Sequence, residues 1–441
     1  MHPGLTKSLS IHAKRDRIHV RGDIEQDLRL LADVPWPSLP CRPTVRGIDL
    51  LNIAAGAYAV DRAVKRTPAK GNDTGIRTLH LCFAVQDSAF WQRPEITNVL
   101  EELLTFLTDE NWTLTFKPAV AESVPEQVPL EFHLTNPPRR VALYSGGLDS
   151  AAGLANQLIR GEDDYLLVTV DHRRGLRRLC LDQTRKLSPL TDTLQQLHST
   201  LTVHLKGGVA KRLRQQECSQ RTRAFLFCAA AAVAAQTCRI QEIEMFENGV
   251  GAINLPLMTG MLIGGLATRG AHPTFLKLMG QLASEVADKT VRYSLPFAAL
   301  TKAEMLISLK KVQGLETWAQ LSRSCATSLR DRDASHCGEC PGCIERRQAF
   351  AAADISELVS GKYKLDVIQD KPHSSNNADY LRCYLADAAA WLAGDEAVRH
   401  RLDLHLRITD VPSKQHDSIA ERQYRHAQEV VKVLGHLTAQ H

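Results

Sequence analysis

Apolar positions along the chain change their period near residue 140. Before that point residues 8–20 alternate as a strand does, 48–64 repeat at helical spacing, and 78–85 alternate again. Residues 94–107 repeat helically and 112–116 alternate, so 1–137 predicts an α+β module. Pro125, Pro129, Pro137 and Pro138 interrupt any regular pattern and predict a linker. From Arg140 onward, short apolar runs at 141–144, 165–170, 201–205, 240–246 and 290–295 read as strands covered on both faces. Helical patterns at 150–160, 178–198, 221–235 and 273–287 separate them. Strand and helix in strict succession predict a parallel, doubly wound α/β sheet. Past Phe350 the chain reads as helical, with amphipathic stretches at 380–392 and 418–437. The pattern therefore divides the chain into 1–137, 138–355 and 356–441.

Composition narrows the function classes only modestly. The 441 residues are 44% hydrophobic and 23% charged, a globular balance. The net charge of +5 is small and its basic residues are dispersed, which argues against a dedicated nucleic-acid surface. Residues 1–17 have no apolar core of the kind a signal peptide needs, and the apolar run at 225–235 is too short to span a bilayer. Eleven cysteines in such a chain point to reduced thiols in the cytoplasm, some of them binding metal.

The first chemical signal follows the first strand of the α/β region. Ser145-Gly146-Gly147-Leu148-Asp149-Ser150 leads into a helix with apolar Leu148, Ala151, Ala152, Leu154 and Ala155. Two glycines let the backbone turn so that its N–H groups converge on one anion, and the helix N-terminus adds a positive pole. The hydroxyls of Ser145 and Ser150 can donate to phosphate, and Asp149 suits a Mg²⁺ ion bridging phosphates. A serine-capped strand-to-helix turn is the plain alternative, which the full six-residue string makes less economical. The chain has no G-x-x-x-x-G-K-[ST] loop, so this is a different kind of nucleotide site.

The second signal is Cys325 followed by Cys337-Gly338-Glu339-Cys340-Pro341-Gly342-Cys343. Four soft ligands with Gly and Pro between them predict a closed, structural tetrahedral zinc site. An iron–sulfur cluster or simply buried thiols are the other readings of the same residues.

These motifs, in this order, resemble the 7-cyano-7-deazaguanine synthase (QueC) family of N-type ATP pyrophosphatases. The likeness rests on the loop, on Thr301-Lys302-Ala303-Glu304, and on Ser324-Cys325 with His336-Cys337 through Gln348-Ala349-Phe350. Together these span about half the chain. The resemblance implies an ATP-pyrophosphatase fold in which a 7-deazaguanine carboxylate attacks the α-phosphate, pyrophosphate leaves, and an amine captures the acyl adenylate. Three features depart from the standard enzyme: Ala151 and Ala152 replace threonines, the gap between Cys325 and Cys337 is longer, and residues 1–137 are extra. That added module resembles the QueC-like proteins of anti-phage defence operons of the Qat type, and implies a partner protein docking on 1–137. Two other readings stand beside this one: a tRNA-modifying, thiolase-like ATP pyrophosphatase, and a nucleotide-binding scaffold of a defence complex without turnover.

Further residues take expected roles within that frame. Asp149, Ser150 and Lys302 are the candidate catalytic groups. Lys302 reaches pyrophosphate from a helix start or is a solvated surface lysine. Asp171 with His172 ends the second strand, where parallel sheets open toward ligands, and contacts adenosine or forms an ordinary turn. Arg221 and Arg223 clamp phosphate oxygens or flank a helix. Glu247, Asn248 and Gly249 end the fourth strand and read a guanine-like edge. Thr268, Arg269, His272 and Pro273 read equally well as a turn between helices.

Overall fold

The computed structural model describes residues 6–14, 17–24, 26–33, 42–66, 76–119, 138–161, 164–172, 175–187, 197–206, 217, 219–257, 268–325, 336–357, 362–370 and 372–440. The expected linker at 125–138 lies almost wholly outside them.

Ten strands form one sheet: β1 (Thr6–Lys14), β2 (Arg17–Gly22), β3 (Gln26–Asp33), β4 (Thr78–Val85), β5 (Asn111–Pro118), β6 (Arg140–Leu143), β7 (Tyr165–Asp171), β8 (Leu197–Lys206), β9 (Glu242–Met245) and β10 (Arg292–Ser294). Their order is β10-β9-β6-β7-β8-β3-β2-β1-β4-β5. The strands from β10 to β8 are mutually parallel, as the alternating pattern predicts. The N-terminal strands continue the same sheet, because β3 pairs antiparallel with β8 from Asp27↔Lys206 to Asp33↔Thr200. The two regions that sequence separates at 137/138 thus share one sheet.

Fourteen helices are described: α1 (Val45–Ala63), α2 (Ser88–Trp91), α3 (Pro94–Thr108), α4 (Leu148–Ile159), α5 (Leu176–Leu187), α6 (Arg223–Thr237), α7 (Gly249–Ile253), α8 (Pro273–Ala287), α9 (Lys302–Ile307), α10 (Leu315–Ala319), α11 (Pro341–Ala352), α12 (Ser375–Leu392), α13 (Glu396–Ile408) and α14 (His416–Leu434). β7 is buried at every position, and its side chains alternate between two cores. Leu166, Val168 and Val170 join the core under α1, α3, α6 and α8, while Tyr165 and Leu167 join that under α4, α5, α9 and α11. Helices therefore cover both faces of the parallel half. A third core unites α12, α13 and α14 with Ile253 of α7 and Ile344 of α11.

Two expectations change. Residues 8–20 form a hairpin rather than one strand: buried Leu9 and Ile11 fall on odd positions, Ile18 and Val20 on even ones, and that shift of phase is the turn. Of the helix expected over 178–198, residues up to Leu187 are described as helical, 188–196 lie outside the described residues, and Leu197 with His198 belongs to β8 instead. Among the described residues no helix is long and apolar enough to cross a membrane.

Candidate functional site

The six-residue loop lies where β6 ends and α4 begins. Gly146 adopts φ +68°, a conformation costly for any residue with a Cβ. Its carbonyl accepts from Gln183 Nε2 at 3.1 Å and from the Arg323 N–H at 2.9 Å, which fixes the turn. Ser145 Oγ and Ser150 Oγ are 2.6 Å apart, and the Gly147 N–H donates to Ser145 Oγ at 3.3 Å. Gly147 is the N-cap of α4 and makes no side-chain cap, so the helix start offers N–H groups to an anion.

Asp149, in the first turn of α4, is held on both oxygens. Lys302 Nζ lies 3.1 Å from Oδ2, and Asn248 Nδ2 donates to Oδ1 at 2.8 Å. Lys302 is the first residue of α9, whose N-cap Thr301 and Glu304 complete the expected capping box. Its Nζ also lies 3.2 Å from Glu345 Oε2. Burial alone would lower this lysine, but Asp149, Glu345 and Glu247 outweigh it and hold Lys302 above the ordinary lysine range. Burial, then Asp149, pushes the Glu247 carboxyl well above its ordinary value, with Lys302 pulling the other way.

The strand-end tripeptide joins this group. Asn248 caps α7 by accepting from Val250 and Gly251 N–H, and its amide donates to Glu247 Oε1 at 2.9 Å as well as to Asp149. Gly249 must be glycine: a Cβ would come within 1.9 Å of the Ala298 carbonyl oxygen. Asp149, Glu247, Asn248 and Lys302 line a cavity of about 310 Å³, whose far wall is built by α12 and α14. Sequence reading did not find that wall. Glu345, Gln348, Tyr380, Tyr384, Trp391 and His426 face the same cavity, and Tyr380 OH donates to Glu345 Oε1 at 2.8 Å. Glu345 and Gln348 lie within the quoted cysteine segment but without an assigned role, and no motif marks Tyr380, Tyr384, Trp391 or His426; the amphipathic pattern predicts only that two helices pack somewhere.

Other expected residues fall in three places. Asp171 and His172 end β7, where Arg223 Nη1 approaches His172 Nε2 at 3.4 Å, beside the loop strand β6. Arg221 instead donates to the Thr108 carbonyl at 2.7 Å and pairs with Asp109 at 3.7 Å. Its guanidinium serves the seam with the N-terminal strands rather than the loop, and Arg269 joins it there, donating to the Phe106 carbonyl at 2.9 Å. His272 caps α8, and Thr268 lines the cavity rim.

The four expected cysteines converge. The sulfurs of Cys325, Cys337, Cys340 and Cys343 all lie within 4.8 Å of one another, with Cys337 and Cys343 at 3.9 Å. Zinc bonded to sulfur at ~2.3 Å in a tetrahedron places its sulfurs about 3.8 Å apart, so the set fits one zinc ion. Backbone N–H groups of Cys337 and Cys340 point at Cys325 and Cys337 sulfurs, each at 3.4 Å, as around a thiolate. The neighbouring sulfurs push the Cys343 thiol far above its ordinary value, a crowding that a bound cation reverses. Gly338, at φ +89°, lets the knuckle pass against Leu365.

Residues 270–354 match the family described as "Queuosine biosynthesis protein QueC". The match runs from the turn before α8 through α9 and the cysteine cluster to the end of α11. It includes Lys302, Glu345 and Gln348 and excludes the phosphate loop and the C-terminal helices. No curated protein matches the chain.

Proposed function

We propose that the chain is an ATP-dependent synthase of the 7-cyano-7-deazaguanine synthase type, built on an ATP-pyrophosphatase sheet. A 7-deazaguanine carboxylate oxygen attacks the α-phosphorus of ATP, and the bond to the bridging oxygen breaks as pyrophosphate leaves. An amine nitrogen then attacks the acyl carbon, AMP departs with the bonding electrons, and the amine loses a proton. The observation carrying this reading is the joining of the loop to the QueC-matching segment through the 3.1 Å contact of Asp149 with Lys302.

Each residue has a task in that scheme. Ser145, Gly146, Gly147, Leu148 and Ser150 cradle the leaving pyrophosphate at the α4 terminus. Lys302 has three N–H donors and shares them between two carboxylates, leaving one for a phosphate oxygen. Each Asp149 oxygen keeps a second lone pair, and Glu247 stands beside it across the Asn248 amide, so these carboxylates fit Mg²⁺. Bound there, Mg²⁺ would neutralise charge developing on the phosphates. Asp171, His172 and Arg223 serve the nucleotide on the β7 side of the loop. Catalysis comes from positioning and charge stabilisation rather than a protein nucleophile.

The amine is ammonia or an amine of a partner protein that docks on 1–137, and the setting is the cytoplasm during anti-phage defence. What favours a protein acceptor is the N-terminal region 1–137, which adds five strands to the sheet without a catalytic motif. Incubation with ATP and the carboxylate should give AMP and pyrophosphate, and Asp149→Ala should slow release at least ~10²-fold. ADP and phosphate as products would defeat the assignment. Recovery of the free nitrile with ammonia, and no conjugate with proteins encoded beside the gene, would exclude the partner acceptor.

A further inference from the structure

The cavity beside Asp149 has two chemically different ends. The outer end, next to the loop, holds Asp149, Glu247, Lys302 and Glu345. The inner end is walled by Tyr384, Trp391, Ala388, Ala427 and Val430, and no lysine or arginine lines it. Asp387 at its margin is already paired with Arg401, and His426 accepts from or donates to Tyr384 at 2.9 Å.

Three hydrogen-bond donors at this inner end have no partner among the described residues: Gln348 Nε2, Trp391 Nε1 and Gln423 Nε2. Their residues are 1%, 6% and 6% exposed. They come from three helices, α11, α12 and α14, and line one space. A buried donor left without an acceptor is costly, and three of them on residues that line one cavity are best satisfied by small side-chain shifts toward acceptors that enter it. They are neutral donors without a cation among them, which suits carbonyl or ring-nitrogen acceptors better than a second anion. Tyr384 and Trp391 supply flat apolar faces, and Tyr380 stacks on Tyr384 at 5.7 Å between ring centroids.

We infer that α12 and α14, outside the QueC-matching segment, form with Gln348 the binding subsite for the planar ring of the substrate acid, recognised through a ring carbonyl and its neighbouring acceptors. This rests on the adenylation reading. The ring enters inner end first, so its carboxylate faces Lys302 and the α-phosphate at the outer end. The nucleotide lies on the opposite, β7 side of the loop, since β6 sits between β9 and β7 in the sheet.

The test uses the full chain, 7-carboxy-7-deazaguanine and an analogue lacking the 6-oxo group. Trp391→Phe keeps the ring and removes the N–H, and Gln423→Leu removes an amide; thermal midpoints show which variants are folded. Each variant should raise KM for the acid in pyrophosphate exchange about tenfold. KM for ATP and zinc content should not change. The wild type should bind the analogue about as weakly as the variants bind the parent acid. Equal affinity of the wild type for acid and analogue, or variants that raise KM for ATP alone, would overturn the subsite. If the wild type shows no carboxylate-dependent exchange, the adenylation reading falls by itself. Calorimetric titration of the free acid then decides: binding weakened tenfold in both variants upholds the subsite, and no binding to the wild type refutes it.

Discussion

Asn248 uses all of its side-chain hydrogen-bonding capacity on four neighbours. Its oxygen caps α7 through Val250 and Gly251, and its amide spans Asp149 and Glu247. The cap explains why an asparagine follows β9; the amide explains why aspartate cannot replace it. In Asn248→Asp the cap acceptor survives, but a third carboxylate faces two others in a buried site. That repulsion displaces Asp149 from Lys302 or forces a protonation. Asn248→Asp should therefore keep its helix cap yet lose about 1–3 kcal/mol of stability, because it removes both amide donors and adds a buried charge. Its pyrophosphate exchange should fall by ~10²-fold or more, the loss typical of a misplaced charge-stabilising group. Denaturation and exchange assays on the same preparation would check both halves. Wild-type exchange by Asn248→Asp would show that the amide bridge does not position Asp149.

At the scale of elements, α11 ties the cysteine cluster to the cavity. Cys340 is its N-cap and Cys343 lies in its first turn, so a metal bound by the cluster would fix where the helix begins. Glu345 and Gln348, three residues apart, then share the face toward Lys302 and α12, as helical spacing requires. Arg346 turns inward to Glu357, Tyr363 and Ser322, and Phe350 enters the core under the sheet. Cys343→Ser should thus lose its zinc, lower the thermal midpoint by several degrees, and lose pyrophosphate exchange along with the Glu345–Lys302 geometry. Cys82→Ser, on β4 outside the cluster, should keep all three. Elemental analysis and melting curves measure this; iron in well-folded wild-type protein would contradict a zinc site. The sequence made the cysteine string, the loop and the capping box at Thr301 readable because each is local, with its chemistry written in consecutive residues. Glu345, Tyr380, Trp391 and Gln423 were not readable as one site, because only the packing of α12 and α14 on α11 brings them together. The overlap of the expected helix 178–198 with β8 has the same origin: apolar spacing is local, whereas pairing of β8 with β3 is not.

Across the whole molecule, a buried charge cluster binds the N-terminal strands to the parallel half. Asp61 near the end of α1, Arg77 before β4 and Glu110 before β5 are almost fully buried. Arg77 Nη2 lies 2.6 Å from Asp61 Oδ1, and Arg77 Nε donates to Glu110 Oε1 at 2.7 Å. Arg66 reaches both acids, at 3.0 and 2.9 Å. The other oxygen of Asp61 accepts from the Thr222 N–H and hydroxyl just before α6, at 3.1 and 3.0 Å. One carboxylate thereby anchors two guanidiniums and the start of the helix that covers β6 and β7. Burial alone would raise the Asp61 carboxyl, but Arg66 and Arg77 outweigh it and hold it below its ordinary value. A depressed folded pKa gives stabilisation that is fully present above the unfolded value of about 3.9. That stabilisation is lost as pH falls through the folded value below it. Asp61→Asn removes the charge and leaves the buried Arg77 and half-buried Arg66 guanidiniums short of a partner, at a cost of about 3 kcal/mol near neutral pH. The wild-type advantage over Asp61→Asn should stay constant from pH 7 to about 5 and shrink below pH ~4, where Asp61 of the unfolded chain takes up its proton while the folded one still holds its charge. Paired urea denaturations across that range isolate this group, because the other carboxylates titrate alike in both proteins. A difference that stays constant down to pH 3 would mean that Asp61 binds its proton alike in the folded and the unfolded chain, so that the guanidiniums do not hold it below its ordinary value. A difference that grows as pH falls through 6 would mean that burial holds the Asp61 carboxyl above its ordinary value, and that the seam owes its stability to the shared sheet alone.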